Sequence, residues 1–268
     1  MLSEERLEEK AAAMEEMAAA LDGVDLDGSA TECSEGGDNA AGCAVDGAES
    51  AEQAEAALDN PLPPFEVILA SASPRRRELL ENVGVKFVVR TPLTPVDETL
   101  EPDQLKDPAE ACKKLAERKA GAVVQEILAE NYTGMLIVLG ADTMVVKNGE
   151  IFGKPRNLSD GKHMLRQLSG CTHEVVTAVS IWLIAAPEVE KISLGFRTFA
   201  DTSYVTFRDL TDEEIADYLR KGESFDKAGA YAIQGEGAAL VDHYEGSLDT
   251  IIGLPAERLA RELAELMG

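Results

Sequence analysis

The sequence of 268 residues is poor in histidine and cysteine, the residues that build zinc centres and disulfide frameworks. It contains three histidines, and its four cysteines lie far apart with no C-x-x-C pair. A zinc site and a disulfide-stapled scaffold are therefore not expected, and a reducing compartment suits the chain best. The histidines lie in periodic segments that predict structural positions, so no Ser/His/Asp arrangement is indicated.

Long apolar runs and positive charge are also scarce. No stretch of 18 apolar residues occurs, so no segment is expected to span a membrane. Basic residues number 25 against 50 acidic ones, and the net charge of −25 disfavours non-specific binding to nucleic acid or anionic membranes. The first residues show no secretory pattern, and their acidity is unlike that of a transit peptide. The cytoplasm is the expected location.

Residues 1–61 are predicted to form an extension outside the folded domain. The first 60 residues include 17 acidic and 2 basic ones, and segment 23–50 has no aromatic residue. This acidic, Ala- and Gly-rich composition is typical of a chain that is largely disordered or partly helical. A partner-binding tail and a dispensable extension both fit, and we favour the second. The proline-rich segment 60–64 marks the boundary, so the folded domain is placed at residues 62–268.

The most informative stretch, residues 65–83, reads FEVILASASPRRRELLENV. Its apolar run predicts a buried strand, and Ser73 and Pro74 suit the N-cap and the first position of a helix. Three arginines then occupy the first helical turn, where the helix dipole favours negative charge instead. The N–H groups of that turn, the Ser71 and Ser73 hydroxyls and the Arg75 guanidinium would together suit a polyanion such as a triphosphate. An ordinary strand–turn–helix with surface arginines is the alternative.

The remaining sequence alternates predicted helices and strands. Helices are predicted at residues 108–130 and 158–168, and a strand at residues 135–139. Segments 173–185 and 191–207 are typical of two long strands that pair antiparallel. Because helices and strands interleave while long hairpins are present, we expect an α/β fold of α+β-like character, with a mixed sheet flanked by helices.

Two more stretches contain candidate site residues. Asp142 is predicted to follow the end of strand 135–139, and ligands gather at the carboxyl ends of strands in α/β folds. A turn or capping aspartate explains Asp142 equally well. The Gly- and Ala-rich loop that begins at Gly222 would let a backbone approach a ligand closely. Its polar residues include Asp226, Lys227, Tyr231 and Gln234.

Carboxylates and lysines suited to a metal–phosphate site occur along the domain. Glu98, Asp142 and Glu150 supply oxygen ligands of the kind that Mg²⁺ and Mn²⁺ take together with substrate phosphates. Lys119 and Lys154 would balance the negative charge of those phosphates. A divalent metal cation, Mg²⁺ or Mn²⁺, is therefore the expected cofactor.

Seven segments occur in the order in which one enzyme family has them. They are LASASPRRRELL, GADTMVV, GEIFGKP, MLRQLSG, HEVVTAVSI, DKAGAYAIQG and IIGLP. The chain therefore resembles the Maf-like nucleoside triphosphate pyrophosphatases, which are related in fold to the inosine triphosphatase group. The resemblance covers residues 62–268. It implies a homodimer that cleaves a nucleoside triphosphate between the α and β phosphates, which yields the monophosphate and pyrophosphate.

The resemblance also implies roles for individual residues. Asp142 aligns with the family's proton acceptor. Glu98, Lys119 and Lys154 match other active-site positions of the family, and the Glu98 carboxylate is expected near the metal together with Asp142. Ser71, Ser73 and Arg75 keep the phosphate-binding role that their positions at the helix start predict.

Three positions bear on the choice of substrate. Members that act on dTTP and UTP have a second arginine in SPRR, a threonine after the aspartate and a glutamine in IQG. Here these residues are Arg76, Thr143 and Gln234. Members that resemble 7-methyl-GTP hydrolases have tryptophan, glutamine and glutamate there. The resemblance thus implies dTTP, UTP or modified pyrimidine nucleotides as substrates. A 7-methyl-GTP-type pyrophosphatase and a nucleotide-binding regulator of cell division are the alternatives.

The sequence departs from the family pattern at two places. Ala232 stands where a glycine is usual, and segment 246–250 lacks the aromatic residues typical before Gly-Leu-Pro. The first change adds a methyl group and restricts the backbone. The second adjoins a region that the family uses for its core or its dimer surface.

Overall fold

The computed structural model describes residues 66–189 and 191–267. The predicted extension 1–61 and the domain boundary near residue 62 lie outside the described residues, so both stay predictions. In the described ranges, no helix combines the length and the apolar character that a membrane span requires.

Strands and helices alternate along the described residues. The strands are β1 (Glu66–Leu69), β2 (Val88–Val89), β3 (Gly134–Lys147), β4 (Glu150–Phe152), β5 (Thr172–Glu188), β6 (Lys191–Phe207) and β7 (Val241–Glu245). The α-helices are α1 (Pro74–Asn82), α2 (Pro108–Ala129), α3 (Leu158–Leu168), α4 (Asp212–Arg220), α5 (Leu248–Ile252) and α6 (Ala256–Met267). Short 3₁₀ helices lie at Gln104–Lys106, Ala228–Ala230 and Gly235–Leu240.

The strands form one mixed sheet in the order β2-β1-β3-β5-β6-β7, and β4 pairs with β3. Strand β1 runs parallel to β2 and β3, whereas the β3–β5, β5–β6 and β6–β7 pairs are antiparallel. The long β5–β6 hairpin confirms the antiparallel pair predicted from the sequence. The predicted α/β fold with a mixed, helix-flanked sheet is confirmed as well.

Helices cover both faces of the central strands. Alternate side chains of β1 show this, because Val67 packs with Leu79 and Leu80 of α1, whereas Ile68 packs in a separate cluster with Val123 and other residues of α2. Helix α6 completes the first of these clusters. A strand that is buried on both faces has a continuous run of apolar residues, which is the pattern that predicted β1 before Ser71.

The structure corrects the prediction for the strand that precedes Asp142. The prediction that this strand ends at Leu139 is wrong, because β3 continues to Lys147. The parallel pairing of β3 with β1 ends at Leu139, but its antiparallel pairing with β5 continues to Val146. Asp142 therefore lies inside a strand, just past the point where β1 stops covering the edge of β3.

Gly140 directly follows the predicted end of the strand, but its role is different from breaking a strand. A Cβ atom at Gly140 would lie 2.5 Å from the Ala116 carbonyl oxygen and 2.7 Å from the Ala120 backbone nitrogen. Because both atoms belong to the backbone of α2, they cannot move aside as a flexible side chain would. The glycine is therefore needed for the close approach of α2 to β3, and not for a turn.

We expect Gly140→Ala to lower the free energy of unfolding by about 1–3 kcal/mol, the usual cost of overpacking a close-packed interior. Urea denaturation measures this loss. Gly195→Ala is the matched control, because Gly195 also lies in a strand and its added Cβ would meet no atom within 4 Å. Equal losses in the two variants would contradict the close approach of α2 to β3.

Two local sequence signals are confirmed: the Asn148-Gly149 pair, which predicts a hairpin turn, and Thr211 followed three residues later by Glu214, which predicts the start of a helix. Asn148 and Gly149 have positive φ angles of 53° and 79° and join β3 to β4, as an Asn-Gly hairpin turn requires. Thr211 and Glu214 form a reciprocal capping box at the start of α4.

Candidate active site

A cleft of about 1090 Å³ opens beyond the end of β1. Its walls come from the β1–α1 turn, the loop that follows β2, the β3–β4 hairpin and the loop before β7. The structure brings ten residues to which the sequence analysis gave a role in the site to this cleft: Ser71, Ser73, Arg75, Arg76, Glu98, Lys119, Asp142, Thr143, Lys154 and Gln234. Their convergence from distant parts of the chain makes this cleft the candidate active site.

Lys119 links two carboxylates at the floor of the cleft. Its Nζ atom, which comes from α2, forms ion pairs with Asp142 Oδ1 on β3 and with Glu98 Oε1, the latter at 2.9 Å. Asp142 is buried, with 8% of its surface exposed, so its pairing with Lys119 is shielded from water. The two carboxylates therefore converge on one cation.

The charges of this group support one another. The hydrogen bond from Lys119 is the main reason that the pKa of Glu98 is lowered from its ordinary value. Burial acts to lower the pKa of Lys119, but the charge and hydrogen bonds of Asp142 and Glu98 outweigh burial and raise it. Lys119 is therefore a permanent ammonium at neutral pH and is unsuited to act as a general base.

Arg118 holds the loop that carries Glu98, a role that the sequence did not predict. Its Nη1 atom donates to the carbonyl oxygens of Asp97 at 3.2 Å and Thr99 at 2.7 Å, the residues on either side of Glu98. Helix α2 thus supplies both the ammonium that pairs with the Glu98 carboxylate and the guanidinium that fixes its backbone. No motif marks Arg118, whose only sequence signal is its position next to Lys119.

Arg76 is fixed by three hydrogen bonds rather than extended into solvent. Its Nε donates to the Gly253 carbonyl at 2.8 Å, its Nη1 to Ser71 Oγ at 3.2 Å and its Nη2 to Thr143 Oγ1 at 3.0 Å. Burial lowers the pKa of Arg76, and the charge of Asp142 acts in the opposite direction. The guanidinium therefore ties the β1–α1 turn to β3 and to the segment before α6.

The start of α1 differs in one detail from the prediction. Ser73 occupies the N-cap position, but its side chain makes no capping hydrogen bond, and its backbone N–H donates to Ser71 Oγ at 3.3 Å. The first turn contains no acidic residue. Arg75 lines the cleft, whereas Arg77 is exposed and does not. Two of the three arginines, Arg75 and Arg76, therefore make this wall of the cleft positive.

Glu150, the third carboxylate named as a possible metal ligand, is not at this site. It is exposed and pairs with Lys147 across the β3–β4 hairpin, and it does not line the cleft. The expectation that Glu150 joins Asp142 and Glu98 at one metal is therefore wrong. Ile151, the next residue, faces the cleft instead.

The side chains of the loop before β7 differ in exposure: some face the open cleft, and one is buried against the core. Asp226 and Lys227 pair at 2.6 Å and line the cleft, where Gln234 is exposed. Tyr231 is buried, and its hydroxyl lies 2.7 Å from His173 Nε2. Burial lowers the pKa of His173 to about 4, so this histidine is neutral at physiological pH and has the structural position expected of it.

Ala232, the first departure from the family pattern, causes no strain. It is absent from the non-glycine residues with positive φ in the described part of the chain. Its backbone N–H donates to the Tyr218 hydroxyl at 3.1 Å. The added methyl group is therefore compatible with the backbone at this rim of the cleft.

Asp142 and Glu98 are the residues that fit a divalent metal. Their carboxylates already share one cation, the Lys119 ammonium, so they lie close enough to face a common ligand. Within the described ranges, no group of three or more His, Cys, Asp and Glu side chains is placed to hold a metal ion. The donor set suits Mg²⁺ or Mn²⁺, which bind through one or two carboxylates and complete their shell with phosphates and water.

Comparison with known proteins assigns the sequence of this chain to a family. The family profile described as "Maf-like protein" matches residues 66–266. The chain belongs to the Maf family. It is 45% identical over 189 residues to the dTTP/UTP pyrophosphatase of Citrifermentans bemidjiense, an alignment that covers 70% of this chain and 89% of the relative. It is 44% identical over 199 residues to the dTTP/UTP pyrophosphatase of Bacillus anthracis, covering 74% of this chain and 94% of the relative.

One solved structure is similar at lower identity. It is the nucleoside-triphosphatase / dITP/XTP pyrophosphatase from Mycobacterium abscessus, with a TM-score of 0.35 and 15% identity. The match covers 75% of this chain and 97% of that chain. The Maf resemblance drawn from the sequence motifs is confirmed by the family profile and the closer relatives.

In this Maf chain, Cys112 lies next to Asp142, a contact that the sequence did not reveal. Its Sγ lies 4.0 Å from Asp142 Oδ2 and 3.5 Å from the Val176 carbonyl oxygen. Burial, followed by the charge of Asp142, raises the pKa of Cys112 to about 12. The thiol therefore stays protonated and is unsuited to act as a nucleophile.

Proposed function

We propose that this Maf-family chain is a nucleoside triphosphate pyrophosphatase that hydrolyses dTTP and UTP to the monophosphate and pyrophosphate. The observation that carries the proposal is the single cleft in which the cationic start of α1 and the Asp142–Lys119–Glu98 group both take part. The names of the relatives at 44–45% identity support the substrate. Modified pyrimidine nucleotides belong to the same substrate class.

The start of α1 binds the triphosphate in this proposal. Arg75, the N–H groups of the first turn and the Ser71 and Ser73 hydroxyls supply the positive charge and donors that phosphate oxygens accept. Ser73 is suited to this role because its side chain makes no capping hydrogen bond. Lys154, which is exposed in the cleft, and Lys119 stabilise the leaving pyrophosphate.

Asp142 takes the proton from the water that attacks the α-phosphorus. Its pairing with Lys119 fixes the carboxylate in a buried position, where it accepts the proton of a bound water as a general base does. Glu98 and Asp142 would also hold the divalent metal, Mg²⁺ or Mn²⁺. When bound, that ion would neutralise negative charge on the phosphate oxygens.

Removal of the metal is therefore expected to abolish activity. Excess EDTA should reduce pyrophosphate release from UTP to background, and added Mg²⁺ or Mn²⁺ should restore it. Binding of Mn²⁺ to the protein, followed by its electron paramagnetic resonance signal, should weaken in Glu98→Gln. Undiminished Mn²⁺ binding in that variant would remove Glu98 from the metal site.

A nucleotide panel tests the function directly. Pyrophosphate release is measured with UTP, dTTP, CTP, GTP and 7-methyl-GTP at matched concentrations. We expect the highest kcat/KM with UTP and dTTP. A preference for 7-methyl-GTP would assign the chain to the other branch of the family, and no release from any nucleotide would favour a binding regulator. The homodimer and the cytoplasmic location remain proposals, of which light scattering tests the first.

Gln234 provides a sharper test of pyrimidine selection. A neutral amide both donates and accepts hydrogen bonds, whereas a carboxylate only accepts. We expect Gln234→Glu to lower kcat/KM for UTP about tenfold, the size of one lost hydrogen bond. Gln125→Glu is the matched control, because it makes the same charge change on α2 outside the cleft lining. Full UTP hydrolysis by Gln234→Glu would refute this role.

A further inference from the structure

Thr177 is a fully buried polar residue that has no role in the mechanism above. It lies on β5 directly opposite Thr143 of β3 and does not line the cleft. Its Oγ1 atom is 2.7 Å from the Thr250 carbonyl oxygen and 3.0 Å from Thr143 Oγ1. The residue belongs to the HEVVTAVSI segment, whose function the sequence left open.

These two contacts fix the direction of a hydrogen-bond chain. A carbonyl oxygen can only accept, so the single proton of the Thr177 hydroxyl must go to Thr250. The Thr177 oxygen must then accept from the Thr143 hydroxyl. The Thr143 oxygen in turn accepts from Arg76 Nη2 at 3.0 Å. The proton of Thr143 thus points away from the cleft.

Arg76 keeps donors for a ligand in this arrangement. A guanidinium has five N–H groups, and three of those of Arg76 are used by Gly253, Ser71 and Thr143. The pair of Arg76 and Thr143 therefore offers the cleft guanidinium donors beside a hydroxyl that can only accept. Uracil and thymine carry a carbonyl oxygen next to an imino N–H, which matches that pattern, whereas the corresponding ring nitrogen of cytosine is an acceptor.

We propose that Thr177 is a positioning residue for substrate selection, which keeps Thr143 as an acceptor beside the Arg76 donors and so favours uracil and thymine nucleotides over cytosine nucleotides. The inference rests on the proposed function and deepens it. Thr177 acts through Thr143 without touching the nucleotide. The Thr250 carbonyl oxygen accepts the last hydrogen bond of this series, and Thr250 lies in segment 246–250, where the sequence departs from the family pattern.

The test compares Thr177→Val, which keeps the shape but removes the hydroxyl, with Thr177→Ser, which keeps the hydroxyl. We expect Thr177→Val to raise KM for UTP about tenfold with a smaller change in kcat, and to narrow the UTP-to-CTP ratio of kcat/KM about tenfold. Thr177→Ser should keep KM for UTP and the UTP-to-CTP ratio of kcat/KM within about twofold of wild type. Thr198→Val is the matched control, because it removes another hydroxyl–hydroxyl contact, to Ser180, between β5 and β6.

The possible outcomes separate the inference from the proposed function. A wild-type protein that does not hydrolyse UTP refutes the proposed function and the inference with it. The inference alone is overturned if the wild-type protein hydrolyses UTP and folded Thr177→Val has the same KM for UTP and the same UTP-to-CTP ratio of kcat/KM as wild type. If thermal melting shows that Thr177→Val does not fold, Thr177→Ala replaces it, and a wild-type ratio in folded Thr177→Ala overturns the inference in the same way.

Discussion

Asp142→Asn should lower the turnover of UTP by a factor on the order of 10²–10⁴, the contribution typical of a general base. Asparagine keeps the shape of the side chain but cannot take a proton from water, and it also loses the charge that pairs with Lys119. Steady-state pyrophosphate release at saturating UTP and metal measures the change. KM should change less than kcat, because the phosphate-binding groups at the start of α1 remain in place.

Asp201→Asn is the matched control for this experiment. Like Asp142, Asp201 forms an ion pair with a basic residue, in this case Arg258. This pair joins β6 to α6, and neither residue lines the cleft. We expect this variant to lose some stability and to keep its turnover. Near wild-type turnover in Asp142→Asn with metal present would remove Asp142 from the role of base.

Lys119→Met should impair both stability and turnover. The substitution leaves the Asp142 and Glu98 carboxylates without the cation that they share, and breaking a largely buried ion pair costs on the order of 3 kcal/mol. The pKa of Glu98 should rise, because the hydrogen bond from Lys119 is the main cause of its low value. Urea denaturation and UTP turnover measure the two effects.

Lys114→Met on the same helix is the control for Lys119→Met. Lys114 is exposed and does not line the cleft, so its loss should leave stability within about 0.5 kcal/mol of wild type and turnover unchanged. A Lys119→Met variant as stable and as active as Lys114→Met would show that the two carboxylates do not depend on the lysine.

The fold was predictable where local chemistry decides the structure. Thr211 with Glu214, Asn148 with Gly149, and Pro74 each satisfy a nearby backbone requirement, and each lies where the sequence predicted. Gly140 misled the prediction because its role is set by contact with Ala116 and Ala120 of α2, which lie 24 and 20 positions earlier in the chain. A glycine in a strand pattern marks either a bend or a close approach of another backbone, and sequence alone does not choose between them.

The candidate site shows the same division. Arg76, Thr143 and Gln234 lie in family motifs, so the resemblance named them and the cleft contains them. Arg118 and Thr177 act through contacts that depend on the loop fold and on the β3–β5 register, which pairs residues 34 positions apart. A position next to Lys119 and a place in the HEVVTAVSI segment mark the two residues in the sequence, but neither signal reveals these contacts.

Hydrolysis of UTP in H₂¹⁸O, with mass analysis of both products, tests most directly whether the cleft directs water to the α-phosphorus. The account predicts that ¹⁸O enters UMP and that pyrophosphate carries none, and that both products form more slowly in Asp142→Asn by a factor on the order of 10²–10⁴. Label in the pyrophosphate, or release of UDP and inorganic phosphate, would contradict it.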